Sequence, residues 1–252
     1  MPYLSKIRIN PMRTCGREMV SNPQVVHAMV QQAIAVQPVT ERTLWRWEHS
    51  NPHQPHLLAL TETRPDWMHI VEQAGWTNAD GEHFIIRDYQ PLFDHLALGR
   101  EFAFKLTANP VQNTRNPIKP SSAQVERTGQ DPKGRGQRLG HRTATHQLTW
   151  LLKQQDRCGF TIPVTTLPEG DPDTDPVDVP NVRVVARDIL RFTKGKDRNT
   201  PPISLGVATF EGVLTVTDTA SLRNALLNGI GPAKAYGCGL LTLAPLPGTV
   251  HA

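Results

Sequence analysis

The chain has 252 residues, room for one large domain or two small ones. Its 27 Lys and Arg against 23 Asp and Glu give a net charge of +4, too small an excess to mark a partner, so the distribution of charge carries the information. Three scattered cysteines with no Cys-x-x-Cys or Cys/His spacing exclude a disulfide framework and a zinc finger and suit free thiols in a reducing cytoplasm, and no apolar run suits a membrane span.

Residues 3–9 alternate, with Tyr3, Ile7 and Ile9 on one face and Lys6 and Arg8 on the other, and predict a first strand. Pro11–Val20 reads as a loop carrying Arg13 and Arg17. Asn22 is a good N-cap and Pro23 suits the first helical position. Val25, Val26, Met29, Val30 and Ala33 then recur at helical spacing to about Ala35. Thr43–Glu48 and His56–Thr61 read as strands, a short helix starts near Asp66, and His83–Tyr89 supplies another strand. The order strand, helix, strand, strand, helix, strand is the ferredoxin-like arrangement, here over residues 1–90.

Residues 91–100 read as a linker. A second unit, 101–252, opens with Phe102, Phe104 and Leu106 alternating with Ala103, Lys105 and Thr107. A polar insertion at 111–142 follows, with seven basic residues against two acidic ones. Lys133, Arg135, Arg138 and Arg142 belong to it, and its net +5 exceeds the excess of the whole chain. A loop this long inside a domain is usually functional or disordered.

A helix at about Ala144–Gln155 is expected to bury Leu148, Leu151 and Leu152, and a strand follows near Phe160–Val164. The acidic stretch Pro168–Pro180 mimics the opening of a calcium loop. Pro176 replaces the required glycine and Val182 the closing glutamate, so it reads as a solvated loop. Strands at about Val182–Thr193 and Ile203–Thr217, a helix capped by Asp218, and a strand Gly239–Leu243 repeat the order of the first unit. The fold class is therefore α+β, two tandem ferredoxin-like βαββαβ domains.

Between the last helix and strand lies Gly-Ile-Gly-Pro-Ala-Lys-Ala-Tyr-Gly-Cys-Gly, residues 229–239. Gly229 and Gly231, then Gly237 and Gly239, form two Gly-x-Gly pairs, with Lys234 midway between them. It is neither a Walker loop nor a dinucleotide fingerprint. By residue type alone, a glycine-rich turn and an anion-binding nest are about equally good readings.

This pattern resembles the signature loop of the repeat-associated RNA-binding superfamily of CRISPR systems. The wider stretch Phe210–Pro245, the N-terminal YLSKIRINP and the segment FAFKLTANP at 102–110 are similar to the CasE branch. The resemblance implies a metal-independent endoribonuclease that cuts precursor transcripts at the repeat stem-loop by 2′-hydroxyl attack. It further implies that the protein needs no cofactor, stays bound to the crRNA hairpin, and joins the other subunits of Cascade.

The family's catalytic histidine follows an Asn-Pro-Tyr-x-x-His helix start, and this chain reads Asn22-Pro23-Gln24-Val25-Val26-His27. The resemblance thus makes His27 the proton-transfer residue, where residue type alone would make it an ordinary surface histidine. Gln24 replaces the tyrosine; three residues before His27, it shares a helix face with it and cannot titrate. The family also places a catalytic lysine and an RNA-contacting arginine in the hairpin after the Val182 strand. Lys194 and Arg191 match best, with Lys196 an alternative in register. RNA contacts are expected from the glycine loop, this hairpin and the basic insertion. Five other histidines (His49, His53, His56, His141, His146) suit surface turns better than a metal site, and the five tryptophans suit the core. The rival reading is a catalytically silent RNA-binding subunit, which Gln24 favours. A DNA-binding regulator has no helix-turn-helix to support it.

Overall fold

Alternation in the first residues builds the centre of a sheet. In β1 (Tyr3–Arg8), Ser5 and Ile7 are buried while Lys6 faces solvent. The computed structural model describes residues 1–48, 51, 53–77, 79–114, 125, 137–167, 177–193 and 202–246. β2 (Leu44–Glu48), β3 (His56–Thr61) and β4 (Phe84–Asp88) complete an antiparallel sheet in the order β2-β3-β1-β4, the ferredoxin-like order.

Pro11–Val20 is not the expected loop. Thr14–Ser21 form a helix, α1, whose Met19 is fully buried. One buried apolar residue in two turns leaves almost no periodic signal, and tertiary contacts do the work. The Arg13 guanidinium donates to the Gly75 carbonyl at 3.2 Å, and a side chain at residue 16 would strike the Asn10 carbonyl. Asn22 both ends α1 and starts α2 (Pro23–Gln32): its amide donates to Glu18, and its side chain accepts from the Gln24 amide at 3.0 Å. α2 buries Val26, Met29 and Val30, and with α3 (Met68–Ala74) covers one face of the sheet over Ile7, Trp45, Leu57 and Ala59.

The expected linker at 91–100 also carries structure. Gln90–Asp94 form a short helix, α4, with Phe93 buried. Its signal lay just upstream, where the Asp88 carboxylate accepts from the Gln90 amide, next to Pro91 in the first turn. Phe93 and Tyr89, with Leu44 and Leu60 from the second face of the first sheet, join the core of the C-terminal half.

That half repeats the topology. β5 (Glu101–Ala108) buries Phe102, Phe104, Leu106 and Ala108 on alternate positions. The basic insertion is structured at its root, where β6 (Val111–Thr114) pairs with β7 (Gln137–Gly140). Residues 115–124 and 126–136, including Lys133 and Arg135, lie outside the described residues. α5 (Ala144–Leu152) is capped by Thr143 and buries Gln147, Trp150 and Leu151 rather than the expected leucine stripe, with Leu148 and Leu152 half-buried. A short α6 (Gln155–Cys158) follows.

The single strand expected near 160–164 is two. β8 (Phe160–Thr161) pairs with the end of the strand Ile203–Val216, while β9 (Val164–Leu167) pairs with β10 (Val177–Pro180), which closes the acidic stretch. β11 (Val182–Phe192), β12 (Ile203–Val216) and, after α7 (Thr219–Asn228), β13 (Leu241–Ala244) give the order β11-β12-β5-β13. Replacing β2, β3, β1 and β4 by these strands turns one sheet order into the other. Asp218 caps α7 through the Ser221 amide, and Leu222, Ala225 and Leu226 are its buried face. Trp45, Trp67 and Trp150 are buried, and Trp47 and Trp76 half-buried. Among the described residues no helix is long and apolar enough to cross a membrane.

Candidate functional site

The two halves meet at β2. Arg46 alternates with Trp45 and Trp47 and is 2 % exposed, between the two sheets. Its Nη1 donates to the carbonyls of Lys105 at 2.8 Å and Leu240 at 3.1 Å. Nη2 donates to the Glu48 carboxylate at 2.6 Å and to Thr242 Oγ1 at 2.9 Å. Glu48 also takes Lys105 Nζ at 2.9 Å, and Lys105 reaches on to Glu211. Burial alone would raise the Glu48 carboxyl, but Arg46 and Lys105 outweigh it and hold its pKa below the usual value.

The glycine loop sits against this junction. Its neck is closed by the Ile230 amide donating to Gly239 O at 3.0 Å and the Gly239 amide to Thr107 O at 2.7 Å. A 3-10 turn, Lys234–Tyr236, packs on both α2 and β2. Gly237 has φ +81°, and a Cβ there would come within 2.7 Å of the Trp45 indole. A Cβ at Gly231, also at φ +81°, would meet the Trp150 ring at 2.9 Å. Both glycines are thus required by a tryptophan packed inside the protein.

His27 projects from α2 into a cleft of about 610 Å3 that it shares with Gln31, Glu41, Arg42, Asn228 and Ala235. Burial, then the positive charge of Arg42, lower its pKa below the ordinary imidazole value. The resting ring is therefore neutral at pH 7 and able to accept a proton. Among the described residues its buried Nδ1 has no hydrogen-bond partner, nor does the buried Oε1 of Gln24 three residues earlier. Two carboxylates, Glu41 and Glu62, also line the cleft. Glu41 accepts from the amides of Glu62 and Thr63 and from the Thr63 hydroxyl, which fixes the loop that presents Arg42.

On the other side of the glycine loop lies a second polar cleft of about 620 Å3, lined by Asn113, Trp150, Gln154, Arg157, Asn228 and Lys234 among others. Asn228, at the end of α7, lines both. Burial, followed by the nearby Arg42 and Arg157, lowers the pKa of Lys234. A larger concavity of about 770 Å3 lies on the outer face of the second sheet, around Ala103, Val179 and Leu243. It contains no histidine, and its charged groups are already paired as Lys105–Glu211–Arg183.

The structure thus brings His27, Gln24 and the glycine loop with Lys234 together. Arg191 stands exposed near the end of β11, next to Phe192, whose ring packs on Tyr236 of the loop at 4.7 Å between centroids. The root of the basic hairpin is therefore docked on the glycine loop. Lys194 and Lys196 lie outside the described residues. Arg138, in β7, and the exposed Arg142 stand at the root of the insertion, where Arg187 donates to the Arg142 carbonyl. Periodicity and spacing gave no sign of Arg42, Arg46, Arg157 or Asn228. Arg42 and Arg157 are isolated basic residues in short segments, and Arg46 sits in a strand whose Trp-Arg-Trp pattern hides a buried cation.

Two ferredoxin-like units, joined across a glycine-rich turn with a neutral histidine and the cations Arg42, Lys234 and Arg157 beside it, define a double ferredoxin-like protein with a polar site between its halves. The chain belongs to the CRISPR associated protein family, whose model matches residues 2–245. It is 27 % identical over 248 residues to the CRISPR-associated endoribonuclease Cse3 of Thermus thermophilus, covering 96 % of this chain and all of that one. A stretch of 37 residues, 15 % of this chain and 19 % of the relative, is 62 % identical to the CRISPR system Cascade subunit CasE of Escherichia coli. The solved structure of Thermus thermophilus Cse3 bound to an RNA representing a pre-cleavage complex superposes with a TM-score of 0.70 at 26 % identity, over 97 % of this chain and 99 % of that one.

Proposed function

We propose that this chain is a CRISPR endoribonuclease that cuts precursor RNA at the repeat stem-loop and remains on the crRNA hairpin as a subunit of Cascade. The observation that carries the reading is the position of His27, a neutral imidazole in a cleft walled by an unpaired arginine and by the loop at the meeting of the two halves. The full-length similarity to Cse3 supports it.

In the proposed reaction the ribose 2′-hydroxyl just before the cut attacks the adjacent phosphate in line. His27 takes the 2′-hydroxyl proton as the O2′–P bond forms. The P–O5′ bond breaks, and the departing 5′ oxygen takes that proton back from the His27 imidazolium. The products are a 2′,3′-cyclic phosphate and a 5′-hydroxyl. Lys194 and Arg191 serve as the cations that offset the extra charge of the phosphorane. Every step is given to the RNA and to this chain's side chains, so the reaction is expected to proceed without a metal ion.

Gln24 favours a second reading, a silent hairpin-binding subunit, because an amide cannot exchange a proton. Incubating the protein with its repeat RNA in EDTA separates the two. Accumulation of a product ending in a cyclic phosphate is the expected result. Tight binding of RNA that stays intact, with or without magnesium, would establish the silent subunit.

A further inference from the structure

Three cations gather at the glycine loop, Lys234 within it and Arg42 and Arg157 in the clefts on either side. Arg42 shares the cleft of His27. Lys234 and Arg157 share the cleft beyond the loop. Among the described residues no ion pair is made by any of the three, and the four pairs that do form belong to one network around Glu48 and Glu211. The nearest acid in sequence to Arg42, Glu41, is committed to backbone amides. The three charges also feel one another, for Arg42 and Arg157 both disfavour the charged form of Lys234. Like charges gathered without counterions weaken a free protein, and such a cluster in a cleft marks a site that an anion completes.

We propose that Arg42, Lys234 and Arg157 form a track for the unpaired strand of RNA that adjoins the cut on the side away from the hairpin. The proposal rests on the nuclease reading, which puts the scissile phosphate beside His27. The strand enters at Arg42, crosses the ridge made by Asn228 and the glycine loop, and descends into the Arg157 cleft. Asn228 is the only side chain among the described residues that walls both clefts, so it marks where they adjoin. A single strand is flexible enough to follow two clefts across such a ridge. The second cleft also offers the amides of Asn113 and Asn224, which can meet base edges or the ribose 2′-hydroxyl. An aromatic wall there, Trp150, is committed to the core through its stack on Phe210, so the cleft reads polar groups rather than stacking bases.

The test compares the repeat hairpin alone with the same hairpin carrying its unpaired flank. A 2′-deoxy substitution at the cleavage position, mapped first from the wild-type product, blocks turnover. Affinities are measured across a salt series for the wild type, Arg42→Ala, Arg157→Ala and the charge reversal Arg157→Glu, with thermal melting to verify the fold. For the flanked RNA, each alanine variant is expected to lower the log–log salt slope by about 0.7, the loss of one single-strand phosphate contact. Arg157→Glu should lose more affinity than Arg157→Ala, and the bare hairpin should bind every variant as it binds the wild type. Equal slopes for all proteins on the flanked RNA would overturn the track. So would equal losses on both RNAs, because the cations would then belong to the stem. A wild-type protein that binds neither RNA would instead overturn the nuclease reading and remove the track with it.

Discussion

A neutral imidazole next to a guanidinium is a balanced arrangement for accepting a proton at pH 7. Burial and then Arg42 lower the pKa of His27 below 6.5, so in the proposed reaction its imidazole can accept a proton at neutrality. The rate of single-turnover cleavage should therefore fall on the acid side with a midpoint below 6.5, as the ring becomes protonated and inactive. Replacing Arg42 with alanine removes a like charge and favours the imidazolium. His27 must then titrate at higher pH, and the acid limb should move upward. An acid limb that stays in place in Arg42→Ala would show that another group titrates. His27→Ala itself should slow cleavage by about 10²–10⁴-fold while hairpin affinity stays close to that of the wild type. Gln24 has no part in the pH profile, since its amide does not titrate in this range.

The glycine loop is the element on which the site is hung, and its two roles separate by substitution. Gly237→Val forces a β-branched residue into φ +81° and drives its Cβ into Trp45. The backbone conformation costs roughly 1–2 kcal/mol and displacing the indole about 1–3 kcal/mol more. Melting should drop by at least about 4 °C in a chain of this size. Lys234→Ala leaves the loop packed and should keep the melting temperature while weakening RNA binding. An unchanged melting temperature for Gly237→Val would mean that Trp45 yields freely. The spacing of the glycines was legible in the sequence, as were the helix starts at Asn22 and Asp218, because a cap is a local device. What the glycines are for was not legible. Trp45 meets the loop only after both halves have folded, and Trp150 lies far upstream of it in the second half, so no window of sequence contains both partners. The same physics hid α1 and Arg42: one is held by Arg13 and Gly16 packing on distant backbone, the other placed by Glu41 gripping the end of β3.

At the scale of the whole molecule, the site exists only because two similar units are fixed in one relative position. His27 comes from the first, while Lys234, Arg157 and Asn228 come from the second. Arg46 is the joint, since its guanidinium donates to groups of β2, β5 and β13 at once. Removing one partner of such a buried pair leaves the rest uncompensated and costs about 3–5 kcal/mol. Arg46→Ala should lower stability to urea by that amount and reduce cleavage more than hairpin binding, because chemistry needs both units in register. Glu48 makes the joint sensitive to acid, with a sign that follows from its lowered pKa. The folded state holds the carboxylate ionised more strongly than the unfolded chain does, so it contributes stability above the ordinary carboxylate pKa of 4.5. That contribution falls away as pH drops through the lower pKa of the folded protein. Urea unfolding of the wild type and Glu48→Gln, followed from neutrality to about pH 3, should therefore show two curves that differ at neutral pH and converge in acid. Parallel curves across the whole range would mean that Glu48 acts by shape and hydrogen bonding alone, and that its charge does not hold the two units together.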